Sequence, residues 1–555
     1  MSTSTLGPHS RAPGELPPND PRAAAGALAG LASGALGIAA GELLAALGNP
    51  AAAPLTAVGA AFVDRVPAWL KEFAVSTFGT ADKLALSIGE LVVVAALLAL
   101  LGALGARRPA ITVTGFIVLS IVAAVAAMTR PAAGQWDWLP ALGCCLVGVS
   151  VVQALLRRLP HPARAAGSPV PGSTPSVPSA SRRGFLITVG ATSALAVLGG
   201  VASRALSASA RAVEAARASL RIPAPARAAP AAPSGVDPVP GITPYRTPND
   251  EFYRIDTALS VPQVDPAAWR LRIHGEVENP VELTFDQLIG TDAGGAGGRL
   301  ADGLTGAWVS LTCVSNEVGG DLAGNAMWVG RPIRDVLALA GPRAGADMVL
   351  STSADGWTAS TPLDVLLDPG RDSLFAVSMN GEPLPVEHGF PVRMVVPGLY
   401  GYVSATKWVT DLEVTTFAER TAYWTSRGWA QRGPIKTASR IDVPVDGRSV
   451  PAGTVAVAGV AWAQHRGIST VEVQVDDEPW RRATLAPTVG PDTWVQWSLA
   501  WTATPGRHRL RVRATDADGQ VQTEVIAAPA PDGATGWHEV TVTVTGPASS
   551  PSPTG

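Results

Sequence analysis

Cysteine and histidine are scarce in this 555-residue sequence, with three of the first and seven of the second. Cys144 and Cys145 adjoin inside an apolar run, so Cys313 stands alone in everything that follows and no disulfide framework can form there. Neither a haem-attachment motif nor an iron–sulfur cysteine cluster occurs, which predicts no haem and no electron carrier in this chain. No long apolar run contains a histidine, which excludes a haem held between two membrane histidines; His161 falls in a loop. A net charge of -3 and the lack of a basic aromatic stripe exclude nucleic acid as a partner. Gly294, Gly295, Gly297 and Gly298 lack the strand-to-helix setting of a phosphate loop and read as a surface insertion. Long apolar runs are missing after residue 205, where charge, Trp and short alternating segments take over.

Before that point five segments are long and apolar enough to cross a hydrocarbon core of about 30 Å: Ala23 to Leu47, Leu84 to Leu104, Ile111 to Met128, Leu139 to Leu156 and Gly184 to Ser203. The first is rich in Ala and Gly and carries the weakest signal. Arg107 and Arg108 fill one short connection, and Arg157, Arg158, Arg164, Arg182 and Arg183 another, while the alternate connections carry mixed charge. The positive-inside rule then predicts a cytoplasmic tail over 1–22, a membrane domain over 23–204, and an extracytoplasmic location for the rest. Ser181-Arg182-Arg183-Gly184-Phe185-Leu186 reads as an internal twin-arginine export signal, a route for proteins that fold before export, often with a cofactor loaded. Glu42 and Glu90 lie within spans; the ordinary role of such carboxylates is to reach interfacial water or a neighbouring helix, and proton or quinone chemistry is the alternative. Residues 205–241 are Ala/Pro-rich and predict a semi-extended tether.

From Ile242 short strands and helices alternate without a repeat, which predicts a mixed α+β domain over 242–431. Over 432–545 the pattern changes to period two: Val471, Val473 and Val475, then Leu510, Val512 and Ala514, then Val540, Val542 and Val544 alternate with polar residues. That predicts an antiparallel, immunoglobulin-like β-sandwich without the paired cysteines of antibody domains. Residues 546–555 predict a disordered tail.

Within the α+β region, Leu311-Thr312-Cys313-Val314-Ser315-Asn316-Glu317 followed by Gly319-Gly320 resembles the cysteine-ligand segment of the sulfite oxidase family of molybdopterin enzymes. Thr247-Pro248-Asn249-Asp250-Glu251-Phe252-Tyr253-Arg254 upstream keeps that family's order. So do Met379 to Pro385, His388-Gly389-Phe390-Pro391-Val392-Arg393, Val396-Pro397-Gly398 and Lys407-Trp408 downstream. The resemblance covers roughly residues 240 to 545 and implies molybdenum held by one pterin dithiolene and the Cys313 thiolate, a soft ligand suited to that metal environment. It assigns the pterin ring and phosphate to Asn249, Tyr253, Arg254, His388, Arg393, Ser404 and Lys407. Taken singly, each of these is more often a solvated or structural residue than a ligand.

The resemblance also has departures. Family members carry a tyrosine close to the metal, and Trp429 is the best-matched position here; Asp256 stands where animal and plant relatives have histidine. Both are expected in the catalytic site. No arginine occurs between Thr484 and Pro505, where the second domain of relatives supplies a substrate-binding cation. The expected activity is oxygen-atom transfer on a small oxo-substrate, either oxidation of sulfite or reduction of a sulfoxide or N-oxide, with a separate electron-transfer partner. The second domain mediates dimerisation in relatives, so a homodimer is a further expectation. A non-catalytic envelope protein that binds through its immunoglobulin-like domain is the alternative.

Overall fold

A computed structural model describes residues 21–67, 70, 77, 82–130, 133–159, 182–206, 208–292, 294, 297–300 and 303–546. Ser181 of the arginine-pair motif, His161, Arg164, most of the amino-terminal tail and nearly all of the carboxy-terminal tail lie outside these residues. The chain divides into two compact units, residues 1–209 and 210–555.

The first unit is helical: α1 (Pro21–Leu47), α2 (Pro54–Arg65), α3 (Asp82–Gly105), α4 (Pro109–Met128), α5 (Leu139–Arg157) and α6 (Arg182–Leu206). All but α2 are long and apolar enough to cross a membrane. Their outward faces keep large apolar side chains in the open, with Val92, Val93, Val197 and Leu198 each more than half exposed. The Ala/Gly-rich α1, the weakest apolar signal in the sequence, is the helix on which α3, α5 and α6 pack. Gly26 and Gly30 lie against the backbone of Gly102 and Leu98 on α3, and Gly37 against Cys144 and Gly148 on α5, so that a Cβ at any of them would strike the neighbouring helix. Small residues permit that approach where side-chain bulk would prevent it. Asn49 donates to Asp137 at 2.7 Å and Arg130 pairs with Asp64 at 2.9 Å, which brings the mixed-charge connections after α1 and after α4 to one end of this unit. Glu42 on α1 and Glu90 on α3 are close enough to act on each other electrostatically.

The second unit begins differently from the tether expected over 205–241. Residues Ala208–Ser219 form helix α7; Val213 is 2% exposed within an apolar cluster, and Arg217 Nε donates to Leu384 O at 2.9 Å. Farther on, Trp308 Nε1 donates to Pro230 O and Gln496 Nε2 to Asp237. Alanine-rich composition here serves a helix and a close-packed strap, because small side chains and prolines lie flat on a surface that other parts of the chain provide.

Two sheets build the α+β part. One runs β2-β1-β10-β5-β6, from β1 (Arg270–Gly275), β2 (Val281–Thr284), β5 (Met348–Ser353), β6 (Thr358–Pro362) and β10 (Val409–Thr415), with β1 and β10 parallel. The other runs β3-β4-β7-β8, from β3 (Thr305–Thr312), β4 (Ala323–Pro332), β7 (Leu374–Met379) and β8 (Glu382–Pro383), with β9 (Arg393–Val395) on β7. Every residue of β3 is buried, so the strand that delivers Cys313 is fixed on both faces.

The rest is a sandwich of two sheets. The first is ordered β11-β13-β17-β16, from β11 (Ala438–Val443), β13 (Gly453–Trp462), β16 (Thr484–Leu485) and β17 (Val495–Ala503). The second is ordered β12-β19-β18-β14-β15, from β12 (Ser449–Pro451), β14 (Ile468–Val475), β15 (Arg481–Arg482), β18 (Gly506–Asp516) and β19 (His538–Thr545). The alternating Val, Leu and Ala residues of β14, β18 and β19 all enter one core, as their period requires. One pairing departs from the antiparallel expectation: β12 runs parallel to β19. Val460, Trp462 and Trp494 of this part belong to the core of the α+β part, which makes the contact between the two a packed interior.

Candidate functional site around Cys313

Cys313 follows β3 directly and is 8% exposed. Its N–H donates to Leu322 O at 2.9 Å, its carbonyl accepts Asn316 N at 3.1 Å, and Ser315 N approaches Sγ at 3.4 Å. Burial pushes the thiol pKa up, opposed by the hydrogen bonds from Ser315. Two tyrosines are close enough to feel its charge. Tyr253 is raised first by burial and then by Cys313, with Arg393 acting in the opposite sense; Tyr400 is pushed up to about 12, mainly by burial, with Cys313 contributing. Tyr400 was not singled out in the sequence, although it lies two residues after the Val396-Pro397-Gly398 run.

Tyr253 also feels Arg393, which belongs to a cluster of cationic and imidazole side chains. Arg393 opens β9, is 5% exposed and lies over the Trp328 ring at 5.2 Å. Its nitrogens donate only to backbone carbonyls, of His388 at 3.2 Å and Met394 at 3.4 Å. Among the described residues no carboxylate pairs with it. Desolvation lowers its pKa to about 10. His388, 3% exposed, is hydrogen-bonded through Nε2 to Asn249 O at 3.0 Å. A carbonyl only accepts, so Nε2 carries the proton and Nδ1 is left as an acceptor. Burial, then Arg393 and Lys407, lower this imidazole to about 4, so it is neutral at pH 7. Gly389, at φ +113°, leaves room between the Cβ atoms of Arg393 and Lys407 that a side chain would fill.

Lys407 donates to Asp256 Oδ2 at 2.5 Å and to Glu387 O at 3.1 Å, and Arg254 Nε reaches the same Oδ2 at 3.0 Å. The pKa of Lys407 falls to about 8, with burial the larger cause and Asp256 opposing it. Asp256 therefore joins two of the expected cofactor residues. Asn249 spends Oδ1 on Asn380 Nδ2 at 2.8 Å and turns its amide nitrogen toward Met379 O at 3.4 Å. Ser404 is fully buried and donates within its own turn, to Tyr400 O and Leu399 O. Trp429 packs against Tyr402 at 5.9 Å and Trp424 at 6.1 Å, within the apolar core. The structure thus joins Cys313, Tyr253 and Arg393, and links Arg254, Asp256, Lys407, His388 and Asn249 to one another; it sets Trp429 among aromatic rings.

A cavity of about 260 Å³ opens beside the Cys313 loop. Thr312, Asn316, Glu317 and Tyr400 line it on one side, and Lys436, Trp462, Arg466 and Asp516 on the other.

Residues 258–424 match the model of the oxidoreductase molybdopterin binding domain, and residues 438–542 that of a bacterial Ig domain. Human mitochondrial sulfite oxidase is 29% identical over 330 residues, an alignment spanning 51% of this chain and 58% of the relative. The oxidoreductase YuiH of Bacillus subtilis is 31% identical over 169 residues, 30% of this chain and 76% of that protein. The crystal structure of the sulfane dehydrogenase SoxCD from Paracoccus pantotrophus shares 26% identity and a TM-score of 0.44, over 50% of this chain and 74% of that one. By its molybdopterin-binding domain and by its likeness to relatives that carry the same domain, the chain belongs to the sulfite oxidase family of molybdopterin-dependent oxidoreductases.

Proposed function

We propose that this oxidoreductase is anchored in a membrane by its helical unit, works on the extracytoplasmic side, and transfers an oxygen atom to or from a small oxo-substrate. Sulfite and a sulfoxide or N-oxide are the candidate substrates. The observation that carries the reading is the buried Arg393 guanidinium, close to Tyr253, which in turn feels Cys313, and without a carboxylate among the described residues. A buried unpaired charge is costly, and an anionic group seated beside it offsets that cost. The residues present fit a pterin dithiolene with a phosphate: a thiol for the metal, cations for the anionic end, and neutral donors and acceptors for the ring.

When bound, the molybdenum–pterin group supplies two-electron oxygen-atom transfer. The chain does the rest. The Cys313 thiolate would complete the metal's ligands, and Arg393 and Lys407 would hold the anionic parts of the cofactor. Neutral His388 would present Nδ1 as an acceptor to a ring N–H, while Asn249 O keeps the imidazole in that tautomer. Asn249, Tyr253, Arg254 and Ser404 would complete the cradle. Asp256 would act through Lys407 and Arg254, and Trp429 would close the substrate side where relatives have tyrosine. Because Asp256 neutralises part of the cationic charge, the site suits a neutral oxo-substrate better than a family site carrying histidine there.

The basic connections on α3–α4 and α5–α6 support the topology, with Arg182 and Arg183 at the head of α6 as a twin-arginine signal. Electrons would pass to or from a separate partner, and the sandwich would serve a homodimer. Elemental analysis of the purified chain tests the core of this reading: about one molybdenum per chain is expected, falling to background in Cys313→Ala. A wild-type chain free of molybdenum, from cells supplied with it, would refute it. A reporter fused after Ser203 should report outside the cytoplasm, and Arg182→Lys with Arg183→Lys should retain it inside.

A further inference from the structure

Both flanks of Cys313 are held by the sandwich. Upstream, Gln464 follows β13, is 1% exposed, and donates Nε2 to Ser310 O at 3.3 Å and to Thr312 Oγ1 at 3.0 Å. Ser310 N donates to Asp492 O at 2.9 Å, and Trp494 N donates to Ser310 Oγ at 2.8 Å. Downstream, Arg440 on β11 donates Nη1 to Gly320 O at 2.6 Å. Asp442 at 2.7 Å from Nε and Thr243 at 2.7 Å from Nη2 aim that guanidinium. Gly319, at φ +78°, lies so close to the His538 ring that a side chain there would overlap it. Between the two holds the loop closes on itself through Cys313 N to Leu322 O and Leu322 N to Asn316 Oδ1.

These contacts are poorly suited to mere adhesion between domains. The Ser310 carbonyl can only accept, so the orientation of the Gln464 amide is settled, and its Oε1 is left buried without a hydrogen-bond partner among the described residues. A buried acceptor left unmade costs stability, and an apolar residue of the same shape would avoid that cost. Arg440 and Asp442, at 11% and 8% side-chain exposure, are likewise a buried ion pair, a device that fixes geometry more than it adds stability. What the amide and the guanidinium do accomplish is to pin the backbone three residues before Cys313 and seven after it.

We propose that Gln464 and Arg440 are positioning residues for the Cys313 thiolate, so that the immunoglobulin-like domain is a structural part of the molybdenum site. The proposal rests on Cys313 as the metal ligand. It is tested on the full chain with Gln464→Met and Arg440→Met, with Arg440→Lys as a milder variant should the methionine prevent folding. His508→Ala serves as control, because it removes a contact within the sandwich, with Asp476, and none with the flanks of Cys313 or the residues that hold them. In chain purified from cells unable to make the pterin, iodoacetamide labelling of the Cys313 peptide should quicken about tenfold in the Gln464 and Arg440 variants, the scale of opening expected when one or two restraining hydrogen bonds are lost. The control should stay within about twofold of wild type. In molybdenum-loaded chain the Mo(V) electron paramagnetic resonance spectrum should shift in the same variants and not in the control. Labelling rates and spectra like those of wild type in both variants overturn the proposal, even if melting temperatures fall alike in all three proteins. A wild-type chain that never takes up molybdenum refutes the ligand role of Cys313, and the labelling ratio then decides by itself whether these residues hold the thiol.

Discussion

Two aspartates among the described residues, each met by two cations, differ sharply in their surroundings. Beside the cofactor residues, Lys407 and Arg254 meet Asp256, whose side chain is 6% exposed. On the sandwich, Arg509 and Arg511 meet Asp477, whose side chain is 86% exposed. The distances are alike, 2.5 to 3.3 Å, so a list of ion pairs would rank them together. Water separates them in energy. At Asp477 each charge keeps most of its hydration, whereas at Asp256 removing one partner strands another in a place that cannot solvate it.

The largest test of that contrast is Asp256→Ala. The cofactor-free chain should lose about 3 to 5 kcal/mol in urea unfolding at pH 7. Lys407 sets the pH dependence: its folded pKa of about 8 lies below the unfolded value, so the unfolded chain holds more protons between the two and stability rises with pH across that window. The variant should therefore lose less at pH 9 than at pH 7. An equal loss at both would place the charge on Lys407 elsewhere.

His388 extends the comparison to acid. Its folded pKa of about 4 lies below the unfolded value, so the unfolded state takes up a proton first and stability falls as pH drops through that interval, by roughly 3 kcal/mol for this residue. His388→Gln should flatten that limb of the unfolding curve. A smaller effect of opposite sign is expected at Arg393. Replacing by Met a buried guanidinium that no carboxylate among the described residues meets should stabilise the cofactor-free chain by about 1 to 2 kcal/mol, while molybdenum content of the loaded chain falls. Stabilisation without loss of metal would show that Arg393 does not hold the cofactor. The smallest effect closes the series: Asp477→Ala should cost no more than about 0.5 kcal/mol in urea unfolding.

Much of the architecture is legible in local pattern. Five apolar runs become five long helices with ends within three residues of those read from composition, and Val471, Val473 and Val475 turn inward together, because periodicity reports directly on which face is dry. Helix α7 escaped that approach. Its alanines carry no strong apolar stripe, and the surface it covers, around Leu384, lies far along the chain. The same limit applies at the site. Motif order brought Cys313, Arg393, His388 and Lys407 to notice, but the bond between Asp256 and Lys407 spans 151 residues, and nothing in either neighbourhood announces it. Gln464, Arg440 and Tyr400 were invisible for a related reason: each looks ordinary in sequence and acquires its place only when β3 ends where it does.

The glycines of α1 have a consequence in time as well as in space. This helix precedes in the chain every helix that packs on it, and α3 and α5 follow only after dozens of residues more. Until they arrive, its bare backbone face lacks the surfaces that fit it. Assembly of the helical unit must then proceed by later helices closing onto an early, narrow template, and a leucine-rich helix grafted in place of α1 would leave its successors without a groove to occupy.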